Sequence, residues 1–239
     1  MRIELPTLQG RFLRRYKRFF ADVELDDGRV ITAHCPNTGS MLGCLEEGRR
    51  AVLRDSLNLE RKLRYVLQAL QVGRTWVNVD TGLPNAVVPA EIARGRLPEL
   101  AGYDNVRREV KYGANSRIDV LLERADGARC YVEIKNTTLA RGRVAQFPDA
   151  VTERGLKHLE ELSKLARLPG HRAVQFFFVS RADVDAFSPA EDIDPAYAAG
   201  LRRAAAAGVE ILAYRARVRP ESLTLERRLE VRLGTPPRP

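Results

Sequence analysis

Residues 131–136 read Tyr-Val-Glu-Ile-Lys-Asn. Side chains alternate across a strand, so Cys130, Val132 and Ile134 share one face, while Tyr131, Glu133 and Lys135 share the other. In 117–123, Ile118, Val120 and Leu122 share one face; Arg117, Asp119, Leu121 and Glu123 share the other. Asp126-Gly127 between them signals a hairpin. Each strand therefore sets a carboxylate, Asp119 or Glu133, against an apolar background. A buried charge without a partner is costly, and two nearby carboxylates repel until one protonates. A divalent cation relieves both costs. Few protein oxygens suit Mg2+ (or Mn2+ in its place), which keeps waters and takes a substrate phosphate. Lys135 beside the pair would orient a water or face negative charge developing at phosphorus. The plainer alternative is cross-strand ion pairing on an open hairpin face.

Register decides between them. A two-residue Asp126-Gly127 turn would pair Asp119 with Ile134 and put the carboxylates on opposite faces. The metal reading requires an odd-length loop, or a bulge before Asp119.

The elements that must carry this hairpin are legible around it. Residues 148–170 read as a helix, capped by Asp149 and followed by Gly170, with an apolar stripe of Leu156, Leu159, Leu162 and Ala166. Residues 172–180, "RAVQFFFVS", suit a strand covered on both faces. A helix over 195–208 and a strand over 209–218 follow. Strand, helix, strand, helix, strand indicates an α/β sheet with helical cover. Before it, 19–25 and 29–35 form a hairpin around Asp26-Asp27-Gly28, and 64–72 and 75–81 a second strand pair. Little there reads as helix, and about five strands in some 80 residues suit a small closed barrel of the OB-fold kind. "TGLPNAVVPA" (81–90), with a glycine and two prolines, marks the boundary. The expectation is two domains, 1–83 and 84–239.

The chain has 239 residues, 44% hydrophobic, enough for a sizeable core. No apolar run is long enough to span a membrane. The first twenty residues lack a signal peptide's apolar block. Cys35, Cys44 and Cys130 are too few for a disulfide framework. A reduced cytoplasmic protein is expected. The net charge is +9, and only six of the 40 basic residues are lysine. Arginine's planar fork suits phosphate, and the excess of positive charge fits an anionic partner such as nucleic acid. "RFLRRYKRFF" (11–20) interleaves Arg11, Arg14, Arg15, Lys17 and Arg18 with aromatic rings. Such a surface on a small barrel binds a strand by following its backbone and stacking its bases. Phe19 and Phe20 read as core and the cations as phosphate contacts. "AHCPNTGSMLGC" (33–44) has poor ligand spacing for zinc and reads as a structural loop.

Asp119, a hairpin, then Glu133-Ile134-Lys135 resembles the PD-(D/E)xK nuclease superfamily, with Ile118 where that pattern has proline. The resemblance implies that Asp119, Glu133 and the Ile134 carbonyl hold the metal and that Lys135 assists the attacking water. Many members add a glutamate on the preceding helix, a place that Glu109 matches. "VTERGLKH" (151–158) sits where the superfamily often has a basic residue, which favours Arg154 and Lys157 over His158 as phosphate contacts. The alternative there is an exposed Glu153–Lys157 ion pair. "RYKRF", "HCPNTGSM", "EVKYG", "SRID", "FPDAVTERGLKHL", "FSPA" and "GVEILAY" resemble the sugar fermentation stimulation protein A (SfsA) family across nearly the whole chain. That resemblance implies DNA binding, an N-terminal OB-fold and a restriction-endonuclease-like mixed sheet with flanking helices. Two functions follow: a Mg2+-dependent nuclease acting on DNA, or a non-catalytic DNA-binding regulator linked to sugar use.

Overall fold

Six strands occupy the first 78 residues, and their pairing follows from turns and alternation. They are β1 (Thr7–Tyr16), β2 (Phe20–Leu25), β3 (Val30–His34), β4 (Arg50–Asp55), β5 (Tyr65–Val72) and β6 (Thr75–Asn78). The order β3-β2-β1-β4-β5, closed by a β3–β5 bridge at His34 and Val66, makes a five-stranded barrel with β6 added to β5. Phe12, Val23, Leu53, Leu67 and Leu70 fill it. The "HCPNTGSMLGC" segment is a structural loop whose Cys35, Met41 and Cys44 plug the barrel core. A bulge in β1 between Phe12 and Arg14 sets Arg14 across from Asp22. The description covers residues 2–112 and 116–234 of this computed structural model.

Past Gly82 the segment 81–90 forms a helix, α1 (Pro84–Ala93), with Val87, Val88 and Ile92 buried. Pro84 opens it where an N–H needs no partner. Pro89 lies inside it and leaves one turn without its bond. Strands β7 (Asn105–Tyr112), β8 (Ser116–Glu123), β9 (Arg129–Thr137), β10 (Leu139–Arg141) and β11 (Val144–Phe147) follow. Next come α2 (Glu153–Leu165), β12 (His171–Val179), β13 (Ala186–Pro189) and α3 (Pro195–Ala206). The chain ends with β14 (Glu210–Arg219), β15 (Ser222–Arg228) and β16 (Glu230–Val231). The main sheet runs β15-β14-β12-β9-β8-β7, mixed, with β12 parallel to both neighbours, as its apolar sequence implies. A small sheet, β10-β11-β13-β16, lies beside it. Among the described residues no helix is long and apolar enough to cross a membrane.

Two cores flank the main sheet. Leu159, Leu162, Leu201 and Ala204 of α2 and α3 pack with Phe177 and Val179 on one face. On the other, Phe176 and Phe178 pack with α1 and with Val52, Ala69 and Trp76 of the barrel. The barrel and the sheet therefore share a core. Thr152, not Asp149, caps α2: its Oγ1 accepts the Gly155 N–H at 3.1 Å. Asp149 ties the halves together instead, accepting the Met41 N–H at 2.7 Å while its carbonyl takes the Ser40 hydroxyl.

Gly39 makes that junction possible, because an added Cβ would lie 2.4 Å from Asp149 Oδ1. Gly39→Ala should displace the Asp149 carboxylate from the Met41 N–H and cost about 1–3 kcal/mol. The melting temperature should fall by several degrees, whereas Gly28→Ala, with open space around it, perturbs only its own left-handed turn. Unchanged melting of Gly39→Ala would show that the junction tolerates separation.

Candidate active site

The β8–β9 register is the odd-loop one. Val120 pairs with Val132, Leu121 with Tyr131, Leu122 with Cys130 and Glu123 with Arg129. The Arg124 N–H bonds to the Ala128 carbonyl at 2.9 Å, leaving the three-residue loop 125–127, with Gly127 at φ 89°. One further step along this register sets Asp119 across from Glu133, where directly opposed residues share a face.

The ladder does not take that step. The Ile134 N–H donates to Asp119 Oδ2 at 2.7 Å, so a side-chain carboxylate replaces a main-chain acceptor. Ile118 then packs with Leu121 and Tyr131 in the core under α2 and α3, whereas Val120 and Leu122 join the opposite core. The expected grouping of Ile118 with Val120 and Leu122 is thus wrong, because β8 kinks across Asp119. In a strand the N–H and C=O of one residue point to the same side, so the Ile134 carbonyl also faces the gap beside Asp119.

Around this gap is a cleft of about 720 Å³. Its floor carries Asp119, Glu133, Ile134 and Lys135; Arg154 and His158 of α2 form one wall. The barrel forms another with Arg18 and the Asn37–Gly39 loop. Asp119 Oδ1 accepts Asn85 Nδ2 of α1 at 3.1 Å. Burial and the nearby Glu133 charge push the Asp119 carboxyl up to about 6. Glu133 is only 3% exposed. Burial raises its pKa, but hydrogen bonding to His158 and the charge of Lys135 outweigh that and hold it below the ordinary carboxylate value. Its Oε1 accepts Lys135 Nζ at 2.7 Å and also meets His158 Nδ1. Its Oε2 is buried and has no partner.

His158 is the site residue that sequence reasoning passed over. Arg154 Nε lies 3.4 Å from His158 Nε2, which suits a neutral ring with Nδ1–H turned to Glu133 and Nε2 accepting. Gly155, His158, Leu159 and Leu162 form the buried face of α2, a spacing visible in the sequence. Lys157 is exposed and is not among the residues lining the cleft. Glu109 is also displaced from its expected role: it lies exposed on edge strand β7, not on a helix. Its φ of 51° marks a kink, since Val106 and Val110 pack into opposite cores. The polar residue that the preceding helix brings to the site is Asn85.

The basic cluster of β1 divides. Arg14 pairs with Asp22 at 2.8 Å and stacks over Tyr16. Arg15 braces the barrel loop, donating to the carbonyls of Asn37 at 2.8 Å and Gly39 at 2.9 Å. Arg11 and Lys17 are exposed. Phe19, expected in the core, is 45% exposed. Among the described residues, no group of three or more His, Cys, Asp or Glu side chains is placed to hold a metal ion. A cation here would need main-chain, water or substrate oxygens to complete its shell. The unpartnered Glu133 Oε2 and the raised Asp119 fit that demand.

Because folding raises the Asp119 pKa from 3.8 to about 6, ionisation of this group opposes folding. Its stability contribution is full below about pH 4 and is lost as pH rises through about 6. At 1.36 kcal/mol per unit the ceiling is about 3 kcal/mol, and solvent screening brings it to about 1–2 kcal/mol. In metal-free buffer, Asp119→Asn should therefore melt a few degrees above wild type at pH 8, with the gap closing near pH 4. A gap independent of pH would contradict the raised carboxyl.

The chain matches the family model "Sugar fermentation stimulation protein RE domain" over residues 82–222 and "SfsA N-terminal OB domain" over residues 13–79. A sugar fermentation stimulation protein homolog of Geotalea uraniireducens is 51% identical over 233 residues, covering 98% of this chain and 100% of the relative. One of Geobacter sulfurreducens is 52% identical over 229 residues, covering 96% and 97%. The structure of Pyrococcus furiosus SfsA, described in complex with Ca2+, superposes with a TM-score of 0.87 at 32% identity, covering 97% of this chain and 99% of that one. The barrel, the mixed sheet and these relatives together establish that the chain belongs to the SfsA family.

Proposed function

We propose that the protein is a divalent-cation-dependent phosphodiesterase acting on nucleic acid, with DNA as the substrate the family resemblance favours. The observation that carries this reading is the buried Asp119–Glu133 pair on the cleft floor, one of whose oxygens has no partner. A protein that only gripped a phosphate backbone would gain nothing from carboxylates turned toward it. Asp119, Glu133 and the Ile134 carbonyl are the groups that would hold Mg2+ or Mn2+. The Pyrococcus furiosus relative, described with Ca2+, supports a hard cation with oxygen ligands in this family. Such an ion, when bound, supplies Lewis acidity and a more acidic bound water.

The chain's own groups divide the remaining work. The Ile134 N–H and Asn85 fix the Asp119 carboxylate. His158 and Lys135 both bind Glu133 Oε1, which turns Oε2 to the opposite side. Lys135 Nζ, with two further N–H groups, can orient a water or face an equatorial phosphate oxygen. Arg154 on the wall offers a guanidinium to a neighbouring phosphate. Arg11, Lys17 and Lys157 lie outside the cleft and serve as longer-range attraction for a polyanion. The work is confined to the cell interior, as the free, buried cysteines would suit.

A second reading has its own support. Lys135 and His158 already compensate Glu133, so the site is nearly satisfied without a cation. It would then be a DNA-binding relic of a nuclease. The two readings predict different signs. Asp119→Asn should abolish Mg2+-dependent cleavage while binding DNA in EDTA as tightly as wild type or more so, since a repulsive charge is gone. Lys135→Ala should also stop cleavage but bind about two- to tenfold more weakly, as an attractive charge is lost. If wild type cleaves neither single strands nor duplexes, and Mg2+ alters neither its affinity nor that of Asp119→Asn, the relic reading replaces the first.

A further inference from the structure

The turn joining β1 to β2 is strained. Lys17 and Arg18 have φ values of 46° and 64°. The Phe19 N–H bonds back to the Lys17 carbonyl at 2.8 Å, which makes Arg18 the centre of a γ-turn with positive φ. That form is rare and strained, and glycine is the residue that adopts it without penalty. Strain of this kind persists where surrounding structure enforces it, and it gathers at ligand clamps.

The surroundings do enforce it. Arg15 Nε donates to the Arg18 carbonyl at 3.0 Å. Arg18 Nη2 donates to the Thr38 carbonyl at 3.1 Å, which aims the side chain along the barrel loop at the rim of the cleft. Among the described residues no carboxylate lies within ion-pair distance of Arg18, in contrast to Arg14 on Asp22. Four of the five guanidinium N–H groups stay free of Thr38. Arg154 lines the same cleft.

We infer that Arg18 is a phosphate-gripping residue that the barrel contributes to the cleft, holding the backbone of a nucleic-acid strand against the carboxylate floor together with Arg154. This rests on the nucleic-acid reading of the cleft. A strand seated there touches both halves of the protein at once, so barrel and sheet act as one binding site.

The test pairs stability with affinity in full-length protein. Arg18→Gly removes the grip and relieves the turn. It should leave the melting temperature unchanged or raise it by about 2–4 °C. It should weaken binding of a short labelled single-stranded oligodeoxynucleotide in EDTA by about tenfold, with a shallower dependence of affinity on salt. Arg18→Lys, which keeps the charge and the strain, should retain most of the affinity. Arg14→Ala, on the Asp22 pair, should bind nearly as wild type. If wild type binds the strand and Arg18→Gly binds equally, the inference fails and the cleft reading stands. The inference also fails if Arg18→Gly loses stability along with affinity, since Arg18 is then a brace for the Thr38 loop. If wild type binds no strand at all, the cleft reading itself falls.

Discussion

The hydrogen bond from the Ile134 N–H to the Asp119 carboxylate, 2.7 Å long, is the contact around which the site is organised. It ends the β8–β9 ladder one residue early. A main-chain donor that would have met a carbonyl meets a carboxylate, and the two strands part there. The bond also pins Asp119 in a buried place next to Glu133, where burial first and the Glu133 charge second push its carboxyl up to about 6, against the lowering effect of the bond itself. The edge strand follows the same break: β7 switches faces at Glu109, beside the kink in β8.

The second constraint is the shared core. Trp76, Val52 and Ala69 of the barrel pack with Phe176 and Phe178 of the central strand. Asn78 carries this junction to the cleft: its N–H donates to the Ser180 carbonyl at 3.0 Å, and its carbonyl accepts Asn136 Nδ2 at 3.3 Å. Near the opposite wall, Asp149 holds the barrel loop at Met41. With its two halves fixed at both places, the cleft between them is a built feature and not a gap between loosely tethered modules.

Positive charge is distributed by these same contacts. Many arginines are committed to carboxylates, as in Arg172 with Glu210 or Arg141 with Asp192. Pairs of that kind on the surface contribute little stability, but they cancel charge locally. The net excess is therefore left to cations outside such pairs, including Arg18 and Arg154, which both line the cleft. Which cations pairing leaves over is a matter of tertiary contacts, which composition alone does not reveal.

Residue order was enough for the alternating strands, the hairpin around Asp126-Gly127, the apolar central strand and the placing of Glu133 and Lys135 on one strand face. These are local properties: periodicity and turn chemistry act over a few residues. It also carried the spacing that buries His158, although the choice of Arg154 and Lys157 overlooked it. Tertiary structure alone decided the rest. "TGLPNAVVPA" reads as a break in the pattern because proline and glycine weaken isolated helices, but burial of Val87, Val88 and Ile92 outweighs that propensity in α1. Arg14 and Arg15 looked available for phosphate because nothing local shows that Asp22 and the Asn37–Gly39 carbonyls would claim them. Asn85 reaches the site where Glu109 was expected because neither the kink in β7 nor the approach of a helix 34 residues before Asp119 is a local property. Which carboxylate meets which donor is a long-range property, decided only when β8, β9, α1 and α2 converge on one point.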